Sequence, residues 1–369
     1  MVGYDELNDL YENVLVKNVK RVKKLYDLER NKAQSLLYAC QEIKYNLPHP
    51  IKYNVFFIKE PKYRLIMSLS LVDKLINHYI AINYLQKNLE KYLIDNNVAT
   101  RKGMGTSKGI KMVKEYIEEN KKYGEFYILK IDISKYFYNI DHEVLKSLLK
   151  DKLSDNEYTS LERIIDSTDE SYINEYIDKL KKKFNYSKEV EEIPYYVNGK
   201  GLPIGNMTSQ FLSIFYLYKL DHFIVHDLHL KYYCRYMDDF IIIHHDKKVL
   251  QDALKVIEEK LENEYKLKIN EKKTKILKSS KGFTFLGYNF KVIAKKTIVK
   301  VNASAFNKIK VNVKEKYNGY ETFKYDFETL FCSYMTYYKS YIASKEKIRR
   351  YLEGNVLYKE QVYFFEKTL

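Results

Sequence analysis

Tyr232-Tyr233-Cys234-Arg235-Tyr236-Met237-Asp238-Asp239-Phe240-Ile241-Ile242-Ile243 places two adjacent carboxylates inside an apolar, β-prone run. The flanking residues read as two strands around a tight turn. A buried aspartate is costly unless it is paired, hydrogen-bonded or bound to a cation. Successive strand residues point to opposite faces, so two aspartates converge only where a turn breaks the alternation. A hairpin tip carrying both is a platform for a divalent metal. Asp-Asp is also ordinary turn chemistry, and what separates the two readings is the rest of the chain.

Upstream, Phe126-Tyr127-Ile128-Leu129-Lys130-Ile131-Asp132-Ile133 is a second apolar strand with one aspartate near its end. Three carboxylates on two strands suit a pair of magnesium ions, which take oxygen ligands and share them with substrate phosphates. Val55-Phe56-Phe57-Ile58 and Arg64-Leu65-Ile66-Met67 read as further strands around Glu60-Pro61-Lys62-Tyr63. There Lys62 and Arg64 can donate to phosphate oxygens. Helices are expected over 71–93 and 142–150. The cationic, glycine-rich stretch Ala99-Thr100-Arg101-Lys102-Gly103-Met104-Gly105 lacks the Gly-Lys-Ser/Thr ending of a P-loop, which argues against ATP hydrolysis. Gly199, Gly201 and Gly205 mark a bending loop, with Thr208 or Ser209 expected to cap the helix beyond it.

These segments together resemble the reverse transcriptases of bacteria, in order from about residue 50 to about residue 290. Asp132 with Phe137 resembles the first palm motif, Gly201-Leu202-Pro203-Ile204-Gly205-Asn206-Met207-Thr208-Ser209-Gln210 the second, and Tyr236-Met237-Asp238-Asp239 the third. Asn270-Glu271-Lys272-Lys273-Thr274 is similar to the fourth, Phe285-Leu286-Gly287-Tyr288 to the primer grip, and Glu60-Pro61-Lys62-Tyr63-Arg64 to the segment whose cations hold a triphosphate.

The resemblance implies an α+β, right-hand polymerase: a basic helical extension (1–50), fingers (51–125), a palm of antiparallel sheet backed by helices (126–290, with a helical insertion at about 145–200) and a small helical thumb (291–369). It implies an RNA-directed DNA polymerase that adds dNMPs to a 3′-hydroxyl. Two Mg2+ ions, replaceable by Mn2+, would be held by Asp132, Ile133, Asp238 and Asp239. The nucleotide would be held by Lys62, Arg64, Phe137, Gly205, Gln210 and Lys273. In that set Phe137 acts as a gate against the ribose 2′-hydroxyl and Lys273 as a general acid for the departing pyrophosphate. Template and primer would meet Arg101, Lys102, Tyr236, Met237, Leu286, Gly287, Lys308 and Lys310.

Many reverse transcriptases carry Gln and Pro where this chain has Ile204 and Gln210. The form found here is similar to the enzymes of diversity-generating retroelements, and related forms are expected among anti-phage defence enzymes. A structured non-coding RNA template is implied in both settings, with a homo-oligomer or accessory protein as a further partner. The slight preference is for defence, since the Ala99-Thr100-Arg101 loop and the compact thumb look more like the unclassified bacterial groups. Two other readings stand: a template-free nucleotidyltransferase or RNA-dependent RNA polymerase on the same palm, and a non-catalytic RNA-binding scaffold.

Composition agrees with a polyanionic partner: 64 Lys+Arg against 49 Asp+Glu give a formal net charge of +15. An AT-rich genome would also yield this Lys-, Ile- and Tyr-rich chain. Only three cysteines occur, Cys40, Cys234 and Cys332, without metal-ligand spacing, which fits a reducing cytosol. No signal core or long uncharged apolar stretch is present, so a cytoplasmic protein without membrane association is expected. His244-His245 is rejected as a metal pair because neighbouring strand residues face opposite sides.

Overall fold

The structure, a computed structural model, describes residues 3–18, 22–47, 51–59 and 62–303, with positions 307 and 350. Glu60 and Pro61, most of the expected thumb, and Lys308 and Lys310 lie outside the described residues. The chain divides into two compact units. One comprises Met1–Gly109, Leu129–Ile242 and Lys248–Lys275, and the other Ile110–Ile128, Ile243–Lys247 and Ile276–Leu369.

In the first unit, β1 (Asn54–Lys59) and β2 (Tyr63–Ser68) form an antiparallel hairpin, in register from Asn54 with Ser68 to Lys59 with Tyr63. Val55, Leu65 and Met67 face inward and pack with Ile173 and Ile177 of the helix Ser171–Lys183, together with Tyr53, Ile193 and Tyr196. Each such side chain stabilises the fold by about 1.5–3 kcal/mol when fully buried. The Tyr53 N–H is met by the Tyr172 hydroxyl at 2.9 Å, and its own hydroxyl lies 2.8 Å from Ser167 Oγ.

Helical structure runs from Leu71 to Tyr92, matching the helices expected over 71–93, with a π-helical turn over Ala81–Gln86. It starts at Ser70, whose side chain accepts from the Asp73 N–H. Asp141 caps the helix His142–Leu149 in the same way, accepting from Val144 N at 3.2 Å. A Ser154/Glu157 capping box starts Asp155–Asp166.

The helix after the glycine loop begins at Met207, one position before the expected cap. Asn206 occupies the cap position without a side-chain cap bond: its Nδ2 donates to the Met67 carbonyl at 3.2 Å, and its Oδ1 is buried without a hydrogen-bond partner. Thr208 and Ser209 are therefore buried inside the helix, and Thr208 Oγ1 accepts from Asn77 Nδ2 at 2.8 Å.

β3 (Tyr127–Asp132), β4 (Tyr233–Tyr236) and β5 (Asp239–His244) form the central sheet in the order β4-β5-β3. β4 and β5 pair antiparallel from Tyr233 with Ile242 to Tyr236 with Asp239. The boundary between units falls inside β3 and β5. In the second unit, β6 (Lys275–Lys278) lies beside the start of β3, where Ser279 N donates to the Phe126 carbonyl at 3.0 Å. That unit also holds an antiparallel meander, β7 (Phe283–Phe285), β8 (Tyr288–Ile293) and β9 (Lys296–Val301). Its His244 and His245 rings stack with centroids 4.3 Å apart, so the two do not splay to opposite faces as an uninterrupted strand would require. The strand ends at His244. No helix among the described residues is long and apolar enough to cross a membrane.

Candidate active site

Because Tyr236 pairs with Asp239, Met237 and Asp238 are the two loop residues of the β4–β5 turn. Met237 has φ 58°, the left-handed region that costs a non-glycine residue about 1–2 kcal/mol. Its carbonyl accepts from Arg235 Nη1 at 3.0 Å, and its sulfur accepts from Ser213 Oγ at 3.5 Å. Arg235 is wholly buried, as is its partner Asp221 on the helix Tyr218–His222. Nε of Arg235 donates to Asp221 Oδ1 at 2.6 Å and Nη2 donates to Oδ2, while the Tyr233 hydroxyl donates to Oδ1 at 2.6 Å. A fully hydrogen-bonded ion pair thus sits directly beneath the turn that presents the two aspartates. Its partners lie fourteen residues apart, and nothing in the sequence singles them out.

The end of β3 meets this turn: Ile133 N donates to the Asp238 carbonyl at 3.3 Å. On its other edge Ile133 faces Ile269 in an antiparallel bridge whose hydrogen bonds belong to its neighbours. These are Asn270 N to the Asp132 carbonyl at 2.7 Å and Ser134 N to the Lys268 carbonyl at 2.9 Å. A strand residue's N–H and C=O share one edge, so the Ile133 carbonyl is directed toward the hairpin. It is the only metal donor an isoleucine has.

Asp132 is 9% exposed, and both its oxygens accept from Lys273 Nζ, at 3.0 and 2.9 Å. Lys130, two residues before Asp132 and on the same strand face, lies 3.1 Å from Asp239 Oδ1 and 3.2 Å from Oδ2. Burial pushes the Asp239 carboxyl up to about 6; Lys130 opposes the shift, and the Asp238 and Asp132 charges add to it. Burial also raises Asp238, and Asp132 adds to this while Lys273 and Arg64 pull it down.

The three carboxylates therefore repel one another and draw in lysines. An oxygen-only donor set of three carboxylates and a carbonyl fits magnesium. The donors do not form a single tight cage. Among the described residues, the group of three or more metal-binding side chains with ligand atoms all within 4.8 Å of one another is a different one, His142, Asp166 and Asp169.

Lys62 and Arg64 are exposed on the β1–β2 hairpin, and the charge of Arg64 reaches Asp238. β2 is tied to the glycine loop, as Met67 N donates to the Ile204 carbonyl at 2.8 Å. Gly205 has φ 115°, and a Cβ there would lie 3.2 Å from Ile66 Cγ2, so any other residue is both strained and crowded. Gln210 is exposed and shares a pocket with Gly205, His78, Gln86, Thr100, Met207 and Phe211. Phe137 is half-buried, edge-to-face with Tyr136 at 6.0 Å, and its carbonyl accepts from Leu202 N at 2.8 Å.

Lys102 is exposed. Arg101 is turned inward: its guanidinium donates to the Ile94 and Asn97 carbonyls at 2.7 and 3.2 Å and faces Glu90 at 3.4 Å, which fastens its own loop. Tyr236 and Met237 are half-buried on the β4–β5 hairpin. In the second unit Leu286 (φ 48°) and Gly287 (φ 81°) are the two turn residues between β7 and β8.

A mixed chain with an antiparallel sheet that brings Asp132 to an Asp-Asp hairpin, joined by a hairpin of exposed cations, has the right-hand polymerase fold. Residues 58–290, more than half of the chain, match the reverse transcriptase (RNA-dependent DNA polymerase) family, and the chain belongs to that family of nucleotidyltransferases. Similar solved structures include apo telomerase from Candida tropicalis truncated from its C-terminal domain, at 15% identity and TM-score 0.46, covering 74% of this chain and 60% of that one. Another is telomerase from Candida albicans in complex with the TWJ fragment of telomeric RNA, at 12% identity and TM-score 0.47, covering 84% and 61%. The chain thus spans about three fifths of the length of these telomerases. No curated protein matches it.

Proposed function

We propose that the chain is an RNA-directed DNA polymerase that adds dNMPs to a 3′-hydroxyl. The observation that carries this reading is the meeting of Asp132 with the Asp238-Asp239 turn through the Ile133–Asp238 hydrogen bond, with Lys273 and Lys130 neutralising the carboxylates. Asp132, Asp238, Asp239 and the Ile133 carbonyl would hold two Mg2+ ions, with Mn2+ as a substitute. Such ions lower the pKa of an attacking hydroxyl and neutralise phosphate charge. Lys273 changes partner as the carboxylate charge is met, and becomes free to donate a proton to the pyrophosphate oxygen. Lys62 and Arg64 hold the triphosphate, Arg by a planar fork and Lys as a point charge. Phe137 abuts the sugar, and the 201–210 loop, with Gly205 and Gln210, positions the base.

Fingers over 51–125, palm over 126–290 and thumb over 291–369 are the division that accompanies this reading. Lys102, Tyr236, Met237, Leu286, Gly287, Lys308 and Lys310 are assigned to template and primer, and Arg101 to shaping the loop beside them. A bacterial, cytoplasmic enzyme copying a dedicated non-coding RNA in anti-phage defence is the setting we favour, with a diversity-generating retroelement as the other. The Ile204 and Gln210 departures bear on both settings, the preference for defence rests on the Ala99-Thr100-Arg101 loop and the short thumb segment, and the excess of cations supports a nucleic-acid partner in either.

Primer extension on an RNA template with labelled dNTPs or rNTPs tests the activity. Asp238→Ala/Asp239→Ala is expected to lower dNTP incorporation by about a thousandfold or more, since metal contacts supply several kcal/mol to such reactions. Wild-type rates in that variant sink the proposal. Preferential rNTP use, or extension without template, converts it to the alternative polymerase readings.

A further inference from the structure

His142 is 1% exposed, and its two ring nitrogens have opposite surroundings. Nε2 lies 2.7 Å from the Gly201 carbonyl oxygen, which can only accept, so Nε2 carries the proton. The Thr168 hydroxyl, 3.4 Å from Nε2, gives its own proton to the same carbonyl at 3.0 Å. In neutral imidazole Nδ1 is then a bare lone pair. Buried and without a hydrogen-bond partner, it faces Asp166 Oδ1 at 3.3 Å and Asp169 Oδ2 at 3.6 Å. A lone pair aimed at two carboxylate oxygens is repulsive unless a cation lies between them.

The distances identify the kind of cation. A charge-assisted N–H···O bond closes to about 2.7–2.9 Å. Ligands held about 2.0–2.2 Å from a tetrahedral zinc lie roughly 3.3–3.6 Å from one another. The observed separations are of the second kind, and all three ligand atoms are within 4.8 Å of each other.

The remaining polar atoms of the trio are engaged in ways that fix these three in place. Asp166 Oδ2 accepts from Lys146 Nζ at 2.8 Å, leaving Oδ1 toward His142. Asp169 Oδ1 accepts from Gly199 N at 2.9 Å, leaving Oδ2. The Nε2–H to carbonyl bond is the arrangement that commonly orients a metal-binding histidine.

We propose that His142 Nδ1, Asp166 and Asp169 bind a divalent transition-metal ion of the zinc class, separate from the catalytic carboxylates. One nitrogen and two carboxylate oxygens suit zinc and leave a fourth position for water. The ion would clamp the start of helix His142–Leu149, the end of helix Asp155–Asp166 and the Gly199–Gly201 bend. Gly201 is already held there by its N–H, which donates to the Ile140 carbonyl at 2.8 Å, and its φ of 95° and a Cβ position 2.7 Å from the Tyr196 ring exclude a side chain.

The test uses the full chain carrying Asp238→Asn/Asp239→Asn to remove competing catalytic carboxylates, stripped with chelator and titrated with Zn2+ or Co2+. The expected result is one saturable equivalent, a visible Co2+ absorption band and a raised Tm. Adding Asp169→Asn, which keeps Oδ1 for Gly199, or Asp166→Asn is expected to weaken binding about tenfold or more with the fold retained by circular dichroism. Two results overturn the proposal: absence of a saturable equivalent, or affinity unchanged in both variants. A third is 15N NMR showing His142 protonated on both nitrogens in Zn2+-saturated protein, which makes a proton the bridging cation.

Discussion

Asp239 gives the metal-free protein a pH dependence of definite sign. Its folded value of about 6 lies above the ~3.9 of an unperturbed aspartate. The native state therefore binds the extra proton between those limits, so stability from this group is highest below about pH 4, falls as pH rises to about 6 and is level above. In chelator, the urea midpoint of the wild type is expected to drop relative to Asp239→Asn across that window. Parallel curves for the two proteins refute the assignment.

Arg235 and Asp221 provide a second test at this scale. Removing one member of a buried ion pair leaves an uncompensated charge and costs about 3–5 kcal/mol. Asp221→Ala is expected to lose about that much in denaturant unfolding, against the small effect of Glu90→Ala at the exposed end of its contact with Arg101. Single residues were legible unevenly. The aspartates stood out because carboxylates are rare in apolar runs. Lys130, flanked by Leu129 and Ile131, carries a signal in the sequence as well: a charge that shares a strand face with Asp132. Lys273 was singled out only through the resemblance.

Elements show the physical reason some patterns read well. β1 to β5 lie within a residue or two of the apolar runs that predict them; β3, β4 and β5 bury most of their length, and β1 and β2 bury the Val55, Leu65 and Met67 positions. The meander β7 to β9 is harder to read, although Phe283–Phe285 and Tyr288–Lys291 alternate and bury Phe283, Phe285, Tyr288 and Phe290, because the strands are short and lysines stand at exposed positions of β8 and β9. The helix start at Asn206 is not legible from cap chemistry, because the orientation of its side chain is set by a distant group, the Met67 carbonyl that accepts from its Nδ2. The β7–β8 turn holds positive φ at both positions, the kind that favours Asn-Gly, yet places leucine first. Leu286→Asn is expected to stabilise the protein by about 1 kcal/mol. If Leu286 grips a primer, the same change lowers primer extension at saturating dNTP. A variant both destabilised and fully active contradicts both statements.

At the scale of the whole molecule, the net charge of +15 predicts salt-sensitive nucleic-acid binding. With several phosphates neutralised, affinity for single-stranded RNA is expected to fall by about a hundredfold or more between 50 and 200 mM salt. Filter binding or anisotropy measures this, and a flat response rules out phosphate contacts as the source of affinity. The polymerase class was readable because six segments keep their order. The His142 cluster was not, because His142 opens one helix while Asp166 and Asp169 close another some 24 residues later, a separation no spacing rule connects.

The first unit is assembled from three separated stretches, and the last of these supplies the partners of Asp132: the Asn270 amide and the Lys273 ammonium. During synthesis, then, the Asp132 carboxylate and its backbone carbonyl have neither of these partners until the chain has been extended through Lys273. Such long-range pairing also slows folding.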